Sequence, residues 1–262
     1  MGALIQAAAI LPRQAGRSSG LAVRDGYRIR LAATPEDRLA AFRLRFLVFN
    51  LELNEGLESA YADGCDRDDF DDACDHLIVE HAPTRRVIAT YRLQTGRMAA
   101  AHRGYYSARE FDFAPYESLR DEMVELGRAA IHRDHRSFDV LVRLWRGVGA
   151  YARANGARYL IGCSSLTSQS PAEGLAAFAG LGQFLAPHEW RTRPNPGFAC
   201  TTANSARPCG AVRIPKLLRA YLSIGAVICG EPAIDREFKT IDFLTLLDLD
   251  ALSAVARARF LR

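Results

Sequence analysis

The ten residues Met123-Val-Glu-Leu-Gly-Arg-Ala-Ala-Ile-His132 decide how the rest of the chain is read. They form an apolar run that carries one acid, Glu125, and one base, Arg128. In a strand, residues of equal parity share a face. Glu125 then lies with Gly127, and Arg128 lies with Val124 and Leu126, unless a bulge intervenes. A glycine beside charges inside a strand marks such a bulge or a close backbone approach. Arg133-Asp-His-Arg136 follows directly, and Ser137 opens a helix. A strand, a basic turn and a helix N-terminus in succession make an anion-binding geometry. A capped core strand with a Glu125–Arg128 salt bridge is the plainer reading of the same residues.

Working outward, Tyr27-Arg-Ile-Arg-Leu31 alternates and predicts a strand. Thr34-Pro-Glu-Asp37 has the cap, the first-position proline and the acids of a helix start. Leu39, Phe42, Phe46, Phe49 and Leu53 keep helical spacing and form one apolar stripe, flanked by Arg43 and Arg45. Residues 54–75 are polar and irregular, with six aspartates between Asp66 and Asp75. The glycine and closing glutamate of an EF-hand are not at the required offsets. The patch is either a solvated loop or a holder for a cationic substrate.

His76–His81 and Val87–Leu93 predict an antiparallel hairpin turned through Pro83, with Arg92 near its end. An aromatic connection follows, through Tyr105, Phe111, Phe113 and Tyr116. Beyond the central strand, 138–155 predicts a helix stopped by Gly156, carrying Arg143, Trp145 and Arg146. Ala157–Cys163 is a second strand, and a strand–helix–strand unit places it parallel and adjacent to the first. Residues 171–181, 215–224 and 250–260 predict helices, and 226–229 and 241–247 predict the last strands. Residues 182–213 are irregular, and so long an irregular stretch in a compact domain points to function.

The chain has 262 residues, 49% of them hydrophobic, enough for one large domain. Residues 1–22 are expected to be a flexible extension and 23–262 the domain. The net charge of +4 is too small to argue for nucleic acid. Lys216 and Lys239 are the only lysines, and an arginine-rich surface suits carboxylate and phosphate recognition. The six cysteines form no CxxC pair and have no metal-ligand spacing, so no metal is expected. They suit a reducing, cytoplasmic setting. No apolar run reaches the roughly 18 residues of a membrane span, and the start lacks the basic segment of a signal peptide.

The order of elements resembles the GNAT N-acyltransferase fold, an α/β architecture in which a mixed central sheet is flanked by helices. Four pieces stand in a fixed order: Arg45-x-x-x-Phe49, Asp68-Asp-Phe-Asp71, Arg92 and Glu125-Leu-Gly-Arg128. They are similar to the acyl-homoserine-lactone synthase pattern. A closer resemblance spans about residues 27–250. Phe42-Arg-Leu-Arg-Phe46, Cys74-Asp-His-Leu-Ile-Val79, Thr90-Tyr-Arg-Leu93, Glu125-Leu-Gly-Arg128, Cys163-Ser-Ser-Leu166 and Tyr221–Asp235 are similar to the ornithine lipid synthases, the L-ornithine N-alpha-acyltransferases. That resemblance implies transfer of a 3-hydroxyacyl group from acyl carrier protein to the alpha-amine of ornithine, giving lyso-ornithine lipid. Some relatives are called hemolysin-like, which keeps a membrane-lytic protein as the non-enzymatic alternative. Lactone synthesis, or acylation of another amino acid, is the enzymatic one.

One departure bears on the donor. Coenzyme A-binding relatives carry glycines before the crossover helix, and here Arg133–Asp139 has none. Glycines let backbone approach a pyrophosphate. The expected donor is therefore the acyl-phosphopantetheine arm of acyl carrier protein, with no bound cofactor. The carrier protein is acidic, and Arg133, Arg136, Arg143 and Arg146 are its expected docking residues. Glu125 is the expected base, alone or through water, with Arg128 beside it in the catalytic pair. Arg45, Arg92 or Arg128 would hold the amino acid's carboxylate, and Asp68 and Asp71 either attract its distal ammonium or pair with those arginines. Phe46, Phe49, Leu160 and Trp145 are expected to line the acyl slot, with peripheral contact at the inner membrane for the lipid product.

Overall fold

The computed structural model describes residues 21–24, 26–201 and 212–261. Residues 1–20 of the expected extension, and Cys209, lie outside them, and Leu21 and Ala22 already belong to the first strand. Among the described residues nine strands form one mixed sheet: β1 (Leu21–Arg24), β2 (Tyr27–Leu31), β3 (Asp75–His81), β4 (Arg86–Thr95), β5 (Met123–Ile131), β6 (Tyr159–Leu166), β7 (Val227–Ile228), β8 (Ala233–Asp235) and β9 (Thr240–Asp248). The order is β1-β2-β3-β4-β5-β6-β9-β7, with β8 on β9. β5 and β6 are the parallel pair and the neighbouring pairings are antiparallel. The crossover between them is α3 (Phe138–Ala154), capped by the Ser137 side chain on the Val140 N–H.

α3 covers one face through Val140, Leu144, Val148 and Ala152, which pack on Leu77, Val79, Tyr91 and Leu93. α1 (Pro35–Phe46) covers the other. Thr34 and Asp37 close a capping box around its first turn. The helix widens into a π-turn at Leu47–Glu52, so the predicted stripe ends early: Phe49 is buried, but Leu53 is exposed. The remaining helices are α2 (Gly96–Ala101), α4 (Pro171–Gly180), α5 (Lys216–Ser223) and α6 (Ala254–Phe260). No helix among the described residues is long and apolar enough to cross a membrane.

Two irregularities in the middle of the sheet make room for a site. β5 and β6 pair only from Met123–Glu125 to Tyr159–Ile161, and beyond that they part. Gly162 stands at the fork, where a Cβ would come within 2.2 Å of the Leu126 carbonyl oxygen. The second irregularity is a bulge. Arg92 pairs with Gly127 and Thr90 with Ala130, so Arg128 and Ala129 together oppose Tyr91. Arg128 has φ 51°, an unusual conformation for a residue with a side chain, and its guanidinium turns away from the face that strict alternation assigns to it.

Candidate active site

A cavity of about 420 Å³ fills the fork between β5 and β6. Sheet register fixes its two faces. Glu125 pairs with Ile161, Cys163 with Leu244 and Ser165 with Asp242, and partners across a rung share a face. Glu125, Cys163, Ser165 and Asp242 therefore stand together on the α1 face. Leu126, Leu160, Tyr221 and Leu247 line the cavity from the α3 face. The site is polar on one side of the sheet and apolar on the other, and the opening runs between.

Glu125 is buried, and its carboxylate accepts hydrogen bonds from the backbone N–H groups of Tyr106 (2.8 Å) and Ser107 (2.7 Å). Burial raises its proton affinity above the ordinary carboxylate range, partly offset by Ser107, Tyr106 and the charge of Arg92. It makes no pair with Arg128; that part of the plainer reading is replaced by an anchor in the 105–107 turn. A carboxylate fixed by two amides, with oxygen lone pairs still free toward a cavity, can accept a proton from a reacting group.

The arginines of the ordered motif are held by aspartates. Arg45 is fully buried; its Nε donates to Asp66 (2.8 Å) and its two Nη atoms donate to Asp71 (2.7 and 2.9 Å). Arg92 donates to Asp68 at 2.6 Å and to Asp71 at 3.3 Å. Arg128 donates to Asp68 at 2.9 Å and stacks on Phe238, 4.1 Å from the ring centre. Three arginines and three aspartates thus neutralise one another, stitching α1 and the 66–71 loop to β4 and β5. Burial pushes Asp71 up, but Arg45 and Arg92 more than reverse it, and its carboxyl ends well below the usual range. Asp68 follows the same logic with Arg92 and Arg128.

This placement redistributes the expected substrate contacts. Arg45 pairs with Asp66 and Asp71, and Asp68 pairs with Arg92 and Arg128; buried charges need such partners, and Arg45, Asp68 and Asp71 do not line the cavity. Phe49, Arg92 and Arg128 do line the cavity. Of the expected acyl-slot residues, Phe49 and Leu160 line it, whereas Phe46 packs edge-on against Tyr61 and Trp145 stacks on Tyr221 behind the wall. The four basic residues diverge. Arg136 lines the cavity and pairs with Glu52 at 2.5 Å, and Arg133 is exposed in the same turn. Arg143 pairs with Asp139 and lies over Tyr27; Arg146 donates to the Arg259 carbonyl.

The acids that sequence reasoning passed over are Glu55, Glu110, Asp235 and Asp242, all buried. Asp242 had a signal: one acid in the apolar strand Ile241–Leu247, the same pattern that singled out Glu125. Glu110 had none, since only the fold brings it to Asp242. Burial pushes Asp242 up to about 6 and Glu55 up to about 7. Glu55 accepts a hydrogen bond from the Thr167 hydroxyl. Glu110, Cys163 and Asp242 bring one ligand atom each within 4.8 Å of one another, a set able to receive a cation. Burial drives the Cys163 thiol well above its usual range, which disfavours it as a nucleophile.

Residues 44–146 match the family model described as an acetyltransferase (GNAT) domain. Among curated relatives, the L-ornithine N(alpha)-acyltransferase of Rhodobacter capsulatus is 31% identical, over 90% of this chain and 95% of its own. Its namesake from Brucella abortus is 31% identical over 86% of this chain and 85% of its own. Among solved structures, FeeM, an N-acyl amino acid synthase from uncultured soil microbes, aligns with a TM-score of 0.54 at 12% identity, over 90% of this chain and 96% of that one. The lactone synthase LasI aligns with a TM-score of 0.51 at 13% identity, over 88% of this chain and 93% of that one. The latter two establish likeness of fold alone. The parted sheet, the buried Glu125 and identity of this extent along nearly the whole length make the chain a member of the L-ornithine N(alpha)-acyltransferase family.

Proposed function

We propose that this protein transfers an acyl group, a 3-hydroxyacyl group in the reading we favour, from the phosphopantetheine thioester of acyl carrier protein to the alpha-amine of ornithine, yielding lyso-ornithine lipid. The observation that carries the reading is Glu125, anchored by two backbone amides at the wall of the cavity between β5 and β6. An alpha-ammonium has a pKa on the order of 8, so it must shed a proton before it attacks. Glu125 takes that proton, directly or through water. The freed nitrogen adds to the thioester carbon, the C–N bond forms, the C–S bond breaks, and the thiolate leaves to pick up a proton. Arg128, which lines the same cavity as Glu125 and whose Nε makes no hydrogen bond within the protein though Asp66 lies 3.5 Å away, is the candidate for the amino acid's carboxylate. Leu126, Leu160, Tyr221 and Leu247 supply an apolar bed for the acyl chain.

Arg133 and Arg136 favour a carrier protein as the donor. They stand in the turn that follows β5, and Arg136 reaches the cavity edge. The direct test is mass spectrometry of the pure chain incubated with ornithine and a 3-hydroxyacyl carrier protein. An amide on the alpha-nitrogen is the expected product. Amide formed equally well from acyl-coenzyme A would sink the carrier-protein part, and no acyl-ornithine from either donor would sink the whole. Arg133→Glu combined with Arg136→Glu is expected to raise KM for the carrier protein about tenfold or more and to flatten its salt dependence. An unchanged KM would remove this turn from the docking surface.

A further inference from the structure

Outside the arginine–aspartate network, and apart from Glu125 on its two backbone amides and Glu55 on the Thr167 hydroxyl, three buried carboxyl groups among the described residues have no arginine or lysine against them. Glu110, Asp235 and Asp242 are 1%, 4% and 3% exposed. Among the described residues no arginine or lysine pairs with any of them; Arg109, whose charge acts on Glu110, is taken at the surface by Glu237 at 3.0 Å. Asp235 is satisfied otherwise, by the Tyr106 hydroxyl (3.1 Å) and by the N–H groups of Glu237 and Phe238 (2.8 Å each). Glu110 and Asp242 are not. Oε1 of Glu110 and Oδ1 of Asp242 are buried with no amide, hydroxyl or cationic donor on them, and the two carboxyl groups lie against each other with a proton to share between them. Asp242 and Cys163 line the cavity, and Glu110 stands directly behind them, its carboxyl within 4.8 Å of both.

These atoms belong to the same polar face as the base. The Ser107 N–H binds Glu125, the Cys163 thiol reaches Ser107 Oγ at 3.4 Å, and the same sulfur lies 3.8 Å from Glu110 Oε2. Ser165 and Thr240 flank Asp242, and Asp235 adds its charge from β8. A buried carboxylate with an unused acceptor is costly, and the cost is removed when a donor of opposite charge arrives. The pair meets part of that cost by keeping a proton: burial raises both Asp242 and Glu110 above the ordinary carboxylate range.

We propose that Glu110 and Asp242 seat the side-chain ammonium of the acceptor amino acid and so select a basic amino acid over a neutral one, an inference that rests on the acylation of ornithine proposed above. The ammonium replaces the proton held by the pair. The same arrangement explains which of two amines reacts. The distal nitrogen stays protonated between carboxyl groups and is no nucleophile. The alpha-nitrogen lies at Glu125 and loses its proton there.

The test compares ornithine with norvaline, the neutral amino acid of the same chain length, in the wild-type chain and in Glu110→Gln and Asp242→Asn variants at saturating acyl donor. Wild type is expected to favour ornithine strongly. Each variant is expected to raise KM for ornithine on the order of thirtyfold, the loss expected for a hydrogen bond to a charged group. KM for the donor should not move, and the preference over norvaline should shrink. An unchanged ornithine KM in a folded variant overturns the assignment. Should the variants fail to fold, calorimetric titration of wild type decides: equal affinity for ornithine and norvaline overturns it, and tighter ornithine binding with proton release supports it. Elemental analysis is a further check, since a stoichiometric metal ion on Glu110, Cys163 and Asp242 also overturns it. Failure of the underlying reaction is told apart by its own outcome, in which wild type acylates neither amino acid.

Discussion

Turnover by the Glu125→Gln variant is expected to fall at least roughly a hundredfold, the scale of a lost general base. The substitution preserves the shape of the side chain and removes its ability to take a proton. One of the two N–H groups that Glu125 now binds, from Tyr106 or Ser107, would face an amide NH2 instead. That local mismatch costs about 1–3 kcal/mol and leaves the rest of the sheet in place. Steady-state rates should therefore be measured beside circular dichroism and a thermal melt. The pH profile separates chemistry from packing. Glu125 must be ionised to act, and burial holds its carboxyl above the ordinary range. Wild-type rate should then rise with pH through that raised value, and the limb should be missing from the variant. Near-normal turnover with an intact fold would take Glu125 out of the reaction.

The second large effect is on folding. Arg45→Met is expected to destabilise the chain by about 3–5 kcal/mol, because it leaves Asp66 and Asp71 buried with a partner removed. For a chain of this size that corresponds to a fall in Tm of roughly 6–20 °C. Arg45→Lys should recover little, since three donors directed at two carboxylates need the planar guanidinium. Acid should act through the same network. Asp68 and Asp71 have depressed values in the folded chain. Their stabilisation is complete above the unfolded value near ~4 and is lost as pH falls through the lower folded values. Wild type should thus lose stability steeply below about pH 4, and Arg45→Met should show a shallower loss. An Arg45→Met melt within about 2 °C of wild type would remove the network as a determinant of the fold.

Much of this architecture is written in local pattern. Thr34-Pro-Glu-Asp37 started a helix as its chemistry requires, and the two apolar runs on either side of the turn at Pro83 made the hairpin. Glu125 stood out because an acid in an apolar strand has no cheap structural reason to be there. What the sequence hid depends on distance along the chain. Nothing in Glu110 points to Asp242, 132 positions away, until β6 and β9 fix their register. Asp66 was one of six similar aspartates, and only burial separates it from its exposed neighbour Asp72. Trp145 carried the right chemistry for an acyl slot but the wrong depth, since α3 turns it onto Tyr221 and Phe260.

The seam between β5 and β6 carries a consequence for the end of the catalytic cycle. Three rungs join them, from Met123 to Glu125, and past Gly162 the two strands are separate edges. Within the sheet, among the described residues, those three rungs alone join the two halves, and the core under α3 bridges them on one face. In the proposed reaction an acyl chain seated in the gap would have an open side, between the strand edges, by which to leave. Release by that open side would depend only weakly on how many carbons the chain contains.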